Sequence, residues 1–340
     1  MIELSDLEKA DLHSIRARKS NVRKLQKQGL FPTEFDFPLL LQFELTRKCN
    51  VFCKHCYNNS GNNPAEDAMT PEKWKEFCRY IVSKGGIFEC ILSGGEPLLL
   101  GEHLFDIMDI LDADGTYFLL ITNGYLLNDE IIRKLEKYRY ERIQVSIDGA
   151  TADFHDSFRR RNGSWERAVR GAYKITEAGL PLTIAHSVSP ENLHDVDKMC
   201  ELAYSLGAGS IIVSEISLSG RTYEDSALLL NDKQRAYLLE RVFYNSKRFA
   251  GKMKVERSMN PNLQYESYSG EPCGGLIIRP DGDVRIDCMT PFTIGNVLTE
   301  DFSEIWNNKG KQCWNHPLVK EYFNNQRQGI RNYVDKDIAL

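Results

Sequence analysis

From about residue 38 the chain alternates short apolar runs with segments whose apolar residues recur every three or four positions. The runs LLLQFEL (39–45), IFECIL (87–92), TYFLLIT (116–122), RIQVSI (142–147), PLTIAHSV (181–188) and SIIVSEI (210–216) predict six buried strands. Between them, Trp74, Phe77, Cys78, Ile81 and Val82 fall on one helical face, and so do Val196, Met199, Cys200 and Ala203. Gly85-Gly86, Gly179 and Gly207 stand where helix C-caps are expected. Such alternation predicts a parallel sheet with right-handed crossovers.

Six strands are too few to close an eightfold ring. The expected fold class is therefore α/β, a partial (β/α)6 TIM-like barrel open on one side, with its chemistry at the C-terminal strand ends. Beyond about residue 229 the pattern changes. A helix with Leu238, Leu239, Val242 and Phe243 precedes a stretch rich in Asn, Ser, Tyr and Gly (258–272), which reads as a loop. Then comes CGGLIIRPDGDVRIDC (273–288), in which Pro280-Asp281-Gly282-Asp283 predicts a hairpin turn. The expected organisation is a helical, basic head (1–37), the partial barrel (38–228) and a small C-terminal β-hairpin plus helix extension (229–340). In the head, Arg16, Arg18, Lys19, Arg23, Lys24 and Lys27 form a basic stretch without any acid. Such a run is commonly the solvated face of a helix; the alternative is a grip on an acidic peptide.

Composition narrows the function classes. The 340 residues are 42% hydrophobic and 27% charged with 12 prolines, which suits a sizeable core and argues against general disorder. A net charge of −5 gives no reason to expect nucleic acid as a partner. No run of eighteen apolar residues and no signal-peptide core occurs, so no membrane partner and a cytoplasmic location are expected. There, nine cysteines read as reduced thiols or metal ligands rather than disulfides. Cys78, Cys90 and Cys200 lie on apolar faces or in strands and read as core.

Cys49, Cys53 and Cys56, in ELTRKCNVFCKHCYN, put three thiolates in one loop just after the first strand. Three thiolates can hold three irons of a [4Fe–4S] cube and leave the fourth open for chemistry. A zinc site would want four ligands, and no fourth appears nearby; free core thiols are the remaining alternative. The spacing, with His55 before the last Cys, resembles the signature of the radical S-adenosylmethionine (SAM) enzymes. Ser93-Gly94-Gly95-Glu96-Pro97, at the end of the next strand, resembles their GGEP motif, which receives the methionine amino group of SAM. A tight turn alone would also use such glycines. By the same resemblance His55 is expected beside the adenine, Ser146 and Asp148 near the ribose and carboxylate region, and Arg159 at the carboxylate. Asp148-Gly149 read as a plain turn, and Arg159 as a helix-entry residue, are the alternatives. Val213 and Ile216 line either the adenine pocket or the core.

The resemblance implies a [4Fe–4S] cluster with an open iron, SAM as cofactor, and an external electron donor of flavodoxin or ferredoxin type. It further implies reductive cleavage of SAM to a 5′-deoxyadenosyl radical, which abstracts a hydrogen atom from the substrate. PFTIGNVLTEDFSEIW, after the hairpin, resembles the SPASM and twitch extensions that hold auxiliary iron–sulfur clusters. Here five residues rather than the usual four separate Gly282 from Cys288, and only Cys313 follows Trp306. Cys273, Cys288 and Cys313 are the candidate ligands of one auxiliary cluster. The alternatives are an extension without a cluster, or Cys313 as a free thiol that donates a hydrogen atom to a substrate radical. About thirty-seven residues look too few for the complete peptide-recognition domain that some related enzymes carry. Members with such extensions commonly act on ribosomally made peptides or proteins, so a crosslinking or epimerising peptide maturase is the first expectation. Action on a small molecule, such as a tetrapyrrole side chain or an aminosugar alcohol, is the second. A non-catalytic iron–sulfur or zinc protein is the third, against which the GGEP run speaks.

Overall fold

The computed structural model describes residues 6–61, 65–258, 261–288, 290–327 and 337–340. They form two compact units. One comprises the described residues of 42–258 with Arg279–Asp281; the other comprises those of 1–41, 259–278 and 282–340.

The first unit is built on consecutive strands β1 (Leu40–Glu44), β2 (Glu89–Ser93), β3 (Tyr117–Thr122), β4 (Tyr140–Ser146), β5 (Leu182–Val188), β6 (Ser210–Glu215) and β7 (Lys254–Arg257). They lie side by side in chain order, and β7 does not return to β1, so the sheet is open. From β2 to β7 every pairing is parallel. Six strands are those expected; the seventh was not. KVER places only Val255 in the core, so it leaves no apolar run to detect, yet it pairs with β6 from Ser210↔Lys254 to Val213↔Arg257.

Strand side chains alternate between two faces, and the two faces differ in chemistry. On one, Leu41, Phe43, Cys90, Leu92, Val145 and Ile184 are buried. Helices cover this face: Phe43 lies 4.9 Å from Trp74 of the helix Pro71–Ser83, whose Phe77, Cys78 and Ile81 are also buried. Val196, Met199, Cys200 and Ala203 are all buried on the helix Val196–Ser205. Cys78, Cys90 and Cys200 are each fully buried. The other face mixes polar Gln42, Glu44, Ser93, Gln144, Ser146 and Ser187 with apolar Ile91, Leu119, Ile121 and Ile212; Glu44, Ser93 and Leu119 are buried and the rest partly buried. Gln42 donates to Ser93 Oγ across it at 3.0 Å. On the helix Asp232–Arg248, Leu238, Leu239 and Val242 are buried, whereas Phe243 is 48% exposed and does not share their stripe.

The second unit contains β8 (Gly275–Ile278), β9 (Asp283–Arg285), β10 (Phe292–Asn296) and β11 (Ile338–Ala339). β8 and β9 are antiparallel, as are β9 and β10, while β11 joins β10 in parallel. Gly282, just before β9, has φ +88°, which the turn needs and a side chain would resist. A 22-residue helix, Asp6–Lys27, belongs to this unit. The stretch expected as a loop holds a helix, Pro261–Tyr268. Propensity is weak there, and packing decides: Tyr265 stacks on Phe323 at 4.6 Å and Tyr268 on Trp314 at 4.8 Å. Among the described residues no helix is long and apolar enough to cross a membrane.

Candidate active site

The loop that follows β1 is held by backbone from four directions. Gly95 N donates to Thr46 O at 2.6 Å and Glu96 N to Lys48 O at 2.9 Å. Phe52 N and Lys54 N donate to Arg159 O and Phe158 O at 3.1 and 3.0 Å. Arg221 N reaches Cys56 O at 2.9 Å, and Cys49 N reaches Gly61 O at 2.9 Å. Gly94 and Gly95 have a steric reason as well. A Cβ on Gly95 would sit 2.1 Å from Lys48 O, and one on Gly94, at φ +134°, 2.8 Å from Thr46 O. The two glycines thus let the end of β2 lie flat against the cysteine loop.

Cys49 and Cys53 are buried with Val51, and Cys56 packs against them. Asn123, at the end of β3, donates to Asn50 Oδ1 at 2.7 Å and lies 3.7 Å from Cys49 Sγ. Ser60 N donates to Cys56 Sγ at 3.3 Å. Burial pushes the Cys49 thiol up to about 12, with Glu96 adding to the rise. It pushes Cys53 up to about 11, against the pull of Arg159. Thiolates at these positions therefore need added positive charge, which iron supplies. Among the described residues no three Cys, His, Asp or Glu side chains converge closely enough to hold a single metal ion. A cube with one thiolate per iron does not require that convergence.

Beside the thiols lies a buried charged network at the end of β4. Arg159 holds Asp148 Oδ2 through Nη2 at 2.7 Å and Nε at 2.9 Å, and Ser187 N donates to Oδ1 at 2.8 Å. Burial alone would raise the Asp148 carboxyl, but Arg159, His55 and His155 hold it well below the ordinary carboxylate range. Asn192 ties the Asp148 carbonyl to that of Ser187, both at 2.9 Å. His55 Nε2 stands 3.6 Å from Asp148 Oδ2, and its ring stacks on Phe158 at 4.7 Å. Burial lowers its pKa to about 4, so the ring is neutral. Its Nδ1 is buried without a hydrogen-bond partner. Two observations therefore fit these residues to an iron–sulfur cluster with a polar ligand beside it: thiols that require a cation, and an orphaned imidazole nitrogen. Phe158, Ile216 and Leu228 form the apolar cluster next to the ring.

The other expected residues fall as follows. Glu96 is fully buried, and its carboxylate accepts from Thr122 Oγ1 at 2.7 Å, Asn123 N at 2.8 Å and Leu98 N at 3.2 Å. Its side chain thus braces the end of β3. Asp148 and Arg159, read separately from the sequence, are partners. Ser146 lies half-buried on the polar face of β4. Val213 is buried in β6. In the second unit Cys273 and Cys313 are buried with sulfurs 3.8 Å apart, and Cys273 Sγ donates to Gly275 O at 3.3 Å. Cys288 is half-buried just after β9; its charge and that of Cys273 both raise the Tyr268 phenol, behind the larger effect of burial.

Two residues were given no role by sequence reading. Arg221 is 3% exposed, donates to Cys53 O and, at 2.6 Å, to Ser60 O, and lies 3.6 Å over the Phe52 ring. Gly220 before it lets this segment approach, since a Cβ there would sit 2.2 Å from Tyr57 O. Asn123 is the other. The signal for both was position alone: each follows a strand end, where this fold gathers its chemistry.

Residues 43–203 match the family model of the radical SAM superfamily, and residues 271–330 that of the SPASM iron–sulfur cluster-binding domain. The AdoMet-dependent heme synthase of Methanosarcina barkeri is 32% identical over 291 residues, covering 80% of this chain and 82% of that protein. The antilisterial bacteriocin subtilosin biosynthesis protein AlbA of Bacillus subtilis is 25% identical over 89% of this chain, which spans 65% of AlbA. Among solved structures, Streptococcus suis SuiB bound to S-adenosylmethionine superposes with a TM-score of 0.65 at 15% identity, over 95% of this chain and 75% of SuiB. SuiB has also been solved with its precursor peptide SuiA. The chain belongs to the radical SAM superfamily and carries a C-terminal SPASM-type extension. It is an enzyme of that class, using a [4Fe–4S] cluster and SAM, with auxiliary iron–sulfur chemistry in the extension.

Proposed function

We propose that this enzyme removes a hydrogen atom from a side chain of a ribosomally made peptide or protein and leaves a crosslink or an inverted stereocentre. The observation that carries the reading is the set of polar side chains on the sheet face that the helices leave free. Gln42, Gln144, Ser146, Ser187 and Ser214, each partly buried, offer donors and acceptors across four strands, among apolar Ile91, Ile121 and Ile212. An extended peptide uses such partners along its backbone, and the apolar residues between them suit its side chains. The likeness to AlbA, and the fold shared with SuiB, support the same reading.

In this scheme Cys49, Cys53 and Cys56 would hold the cluster, and backbone at Gly94-Gly95 together with His55 would border SAM. Bound there, the two cofactors supply a carbon-centred radical able to abstract hydrogen from an unactivated C–H bond. The chain's own residues do the rest. Arg221 and Asn123 hold the cysteine loop in one conformation. The Asp148–Arg159 pair stands beside His55 and Phe158 stacks on its ring, while burial keeps that ring neutral. Phe158, Ile216 and Leu228 exclude water beside it. Cys273, Cys288 and Cys313 would ligate the auxiliary cluster, and electrons would come from a reduced flavodoxin- or ferredoxin-type donor, which is oxidised in turn.

A second reading, action on a tetrapyrrole side chain, is favoured by the identity to the heme synthase. Mass spectrometry after anaerobic turnover separates the two. Short peptides encoded beside the gene are the candidate substrates. Loss of two hydrogens indicates a crosslink, and deuterium uptake from heavy water indicates epimerisation. Turnover of a tetrapyrrole with no change in any peptide would transfer the assignment. Iron content of about eight per chain, falling to about four in Cys273→Ala/Cys313→Ala, would place the auxiliary cluster.

A further inference from the structure

The helix Asp6–Lys27 carries its charge in two blocks. Its first half mixes Asp6, Glu8 and Asp11 with Lys9, and from Arg16 onward every charged residue is basic. Arg16, Lys19, Arg23, Lys24 and Lys27 line one side of a groove of about 540 Å3, and Glu266 and Ser269 line the other. Positions 16, 19, 23 and 27 are spaced by three or four, so they run along one helical face. The groove is a fixed feature of this unit. Arg18 donates to the backbone and hydroxyl oxygens of Ser267, both at 2.9 Å, and pairs with Glu271 at 3.3 Å. Lys19 donates to Ser269 O.

Three observations say that the groove suits an anion, and of what shape. Its lining carries five cations and one carboxylate, in a chain whose net charge is −5. Burial lowers the Lys19 pKa, with Arg18 and Arg23 adding to the fall against the larger pull of Glu271 and Glu266, so a bound anion would favour the charged ammonium. Favourable interaction with the helix dipole explains Lys24 and Lys27 in the last turn, but not Arg16 and Lys19 two turns earlier. The cations extend over about 16 Å of helix, the reach of about five residues of extended chain. A single small anion would use only part of that length.

We propose that this groove holds an acidic segment of the peptide substrate; the proposal rests on the peptide-modifying reading above. The test is fluorescence polarisation on the full chain with a fluorescein-labelled oligoglutamate peptide, an oligoglutamine peptide of equal length, and oligo-dT of equal charge. Oligoglutamate binds, oligoglutamine does not, and oligo-dT binds more weakly than oligoglutamate. Arg16→Glu/Arg23→Glu/Lys27→Glu weakens oligoglutamate at least tenfold. These three side chains are exposed, so melting temperature and iron content should match the parent. Should the triple variant melt early, Arg23→Glu alone must still show a several-fold loss. Equal binding by the variants, or tighter binding of oligo-dT, overturns the proposal. The two readings fail separately. Peptide turnover with the same KM in parent and variant overturns the groove alone. No peptide turnover in a parent that still cleaves SAM overturns both.

Discussion

Replacing Arg221 by Met would remove a charged clamp from the cysteine loop while keeping most of its bulk. Arg221 gives Cys53 O and Ser60 O hydrogen bonds from a charged donor and covers the Phe52 ring. Each such hydrogen bond is worth about 1.5–3 kcal/mol, and the ring contact about 0.5–2 kcal/mol. Relaxation of the loop and the packing retained by Met recover part of this sum. A net loss of about 3 kcal/mol follows, or a rise of roughly a hundredfold in the population of opened loop. The backbone bond from Arg221 N to Cys56 O survives, so the loop loosens locally rather than the unit unfolding. Hydrogen exchange followed by mass spectrometry reads this directly, as faster exchange confined to amides 49–61. In the reconstituted enzyme the same variant should lose iron to a chelator faster, and Arg221→Lys should fall between it and the parent. Parent-like exchange across 49–61, with parent-like iron loss, would refute the reasoning.

Further outcomes follow from the same site. Gly95→Ala drives a Cβ to 2.1 Å from Lys48 O, so the loop must shift; equilibrium dialysis should show SAM affinity reduced at least tenfold. Gly274→Ala, with open space around its Cβ, should leave affinity unchanged. Asp148→Asn strands the buried Arg159 charge and should cost about 3–5 kcal/mol in urea unfolding; adding Arg159→Met should recover much of it. Burial raises the Glu96 carboxyl from 4.5 to about 7 against three hydrogen bonds that favour the anion. The native state then binds the proton more tightly than the unfolded chain. This contribution to stability is full below about 4.5, falls as pH rises through about 7, and is level beyond. Glu96→Gln should remove that slope when urea midpoints at several pH values are compared.

Local pattern decided what could be read from the chain. The first six strands are apolar runs and the cysteine loop is a contiguous motif, so both are visible without tertiary information. β7 is not, because Val255 is its only core residue and pairing with β6 does the rest. The helix Pro261–Tyr268 is held by rings on Phe323 and Trp314, about fifty residues away. Pro261 at its first position was a local hint, but Asn, Ser and Tyr around it spoke for a loop. In the site, Asp148 and Arg159 were each visible as polar residues near a strand end, but their pairing depends on how the helix Ala152–Arg159 turns back. Arg221 lies 168 residues from its partner Cys53, and Cys313 forty from Cys273. Spacing along the chain carries no information about such meetings.

The unequal burial of the two faces of β1–β6 has a bearing on how such a protein can change over generations. Residues facing the helices are constrained by close packing, where the loss of even one methylene is felt. On the opposite face the partly buried positions, such as Gln42, Gln144, Ser146 and Ser187, carry less of that packing. A lineage can therefore exchange such residues one at a time, each at little thermodynamic cost, without passing through unfolded ancestors. Divergence should accumulate at these positions while the backbone path persists, in keeping with a sheet that still superposes on SuiB at 15% identity.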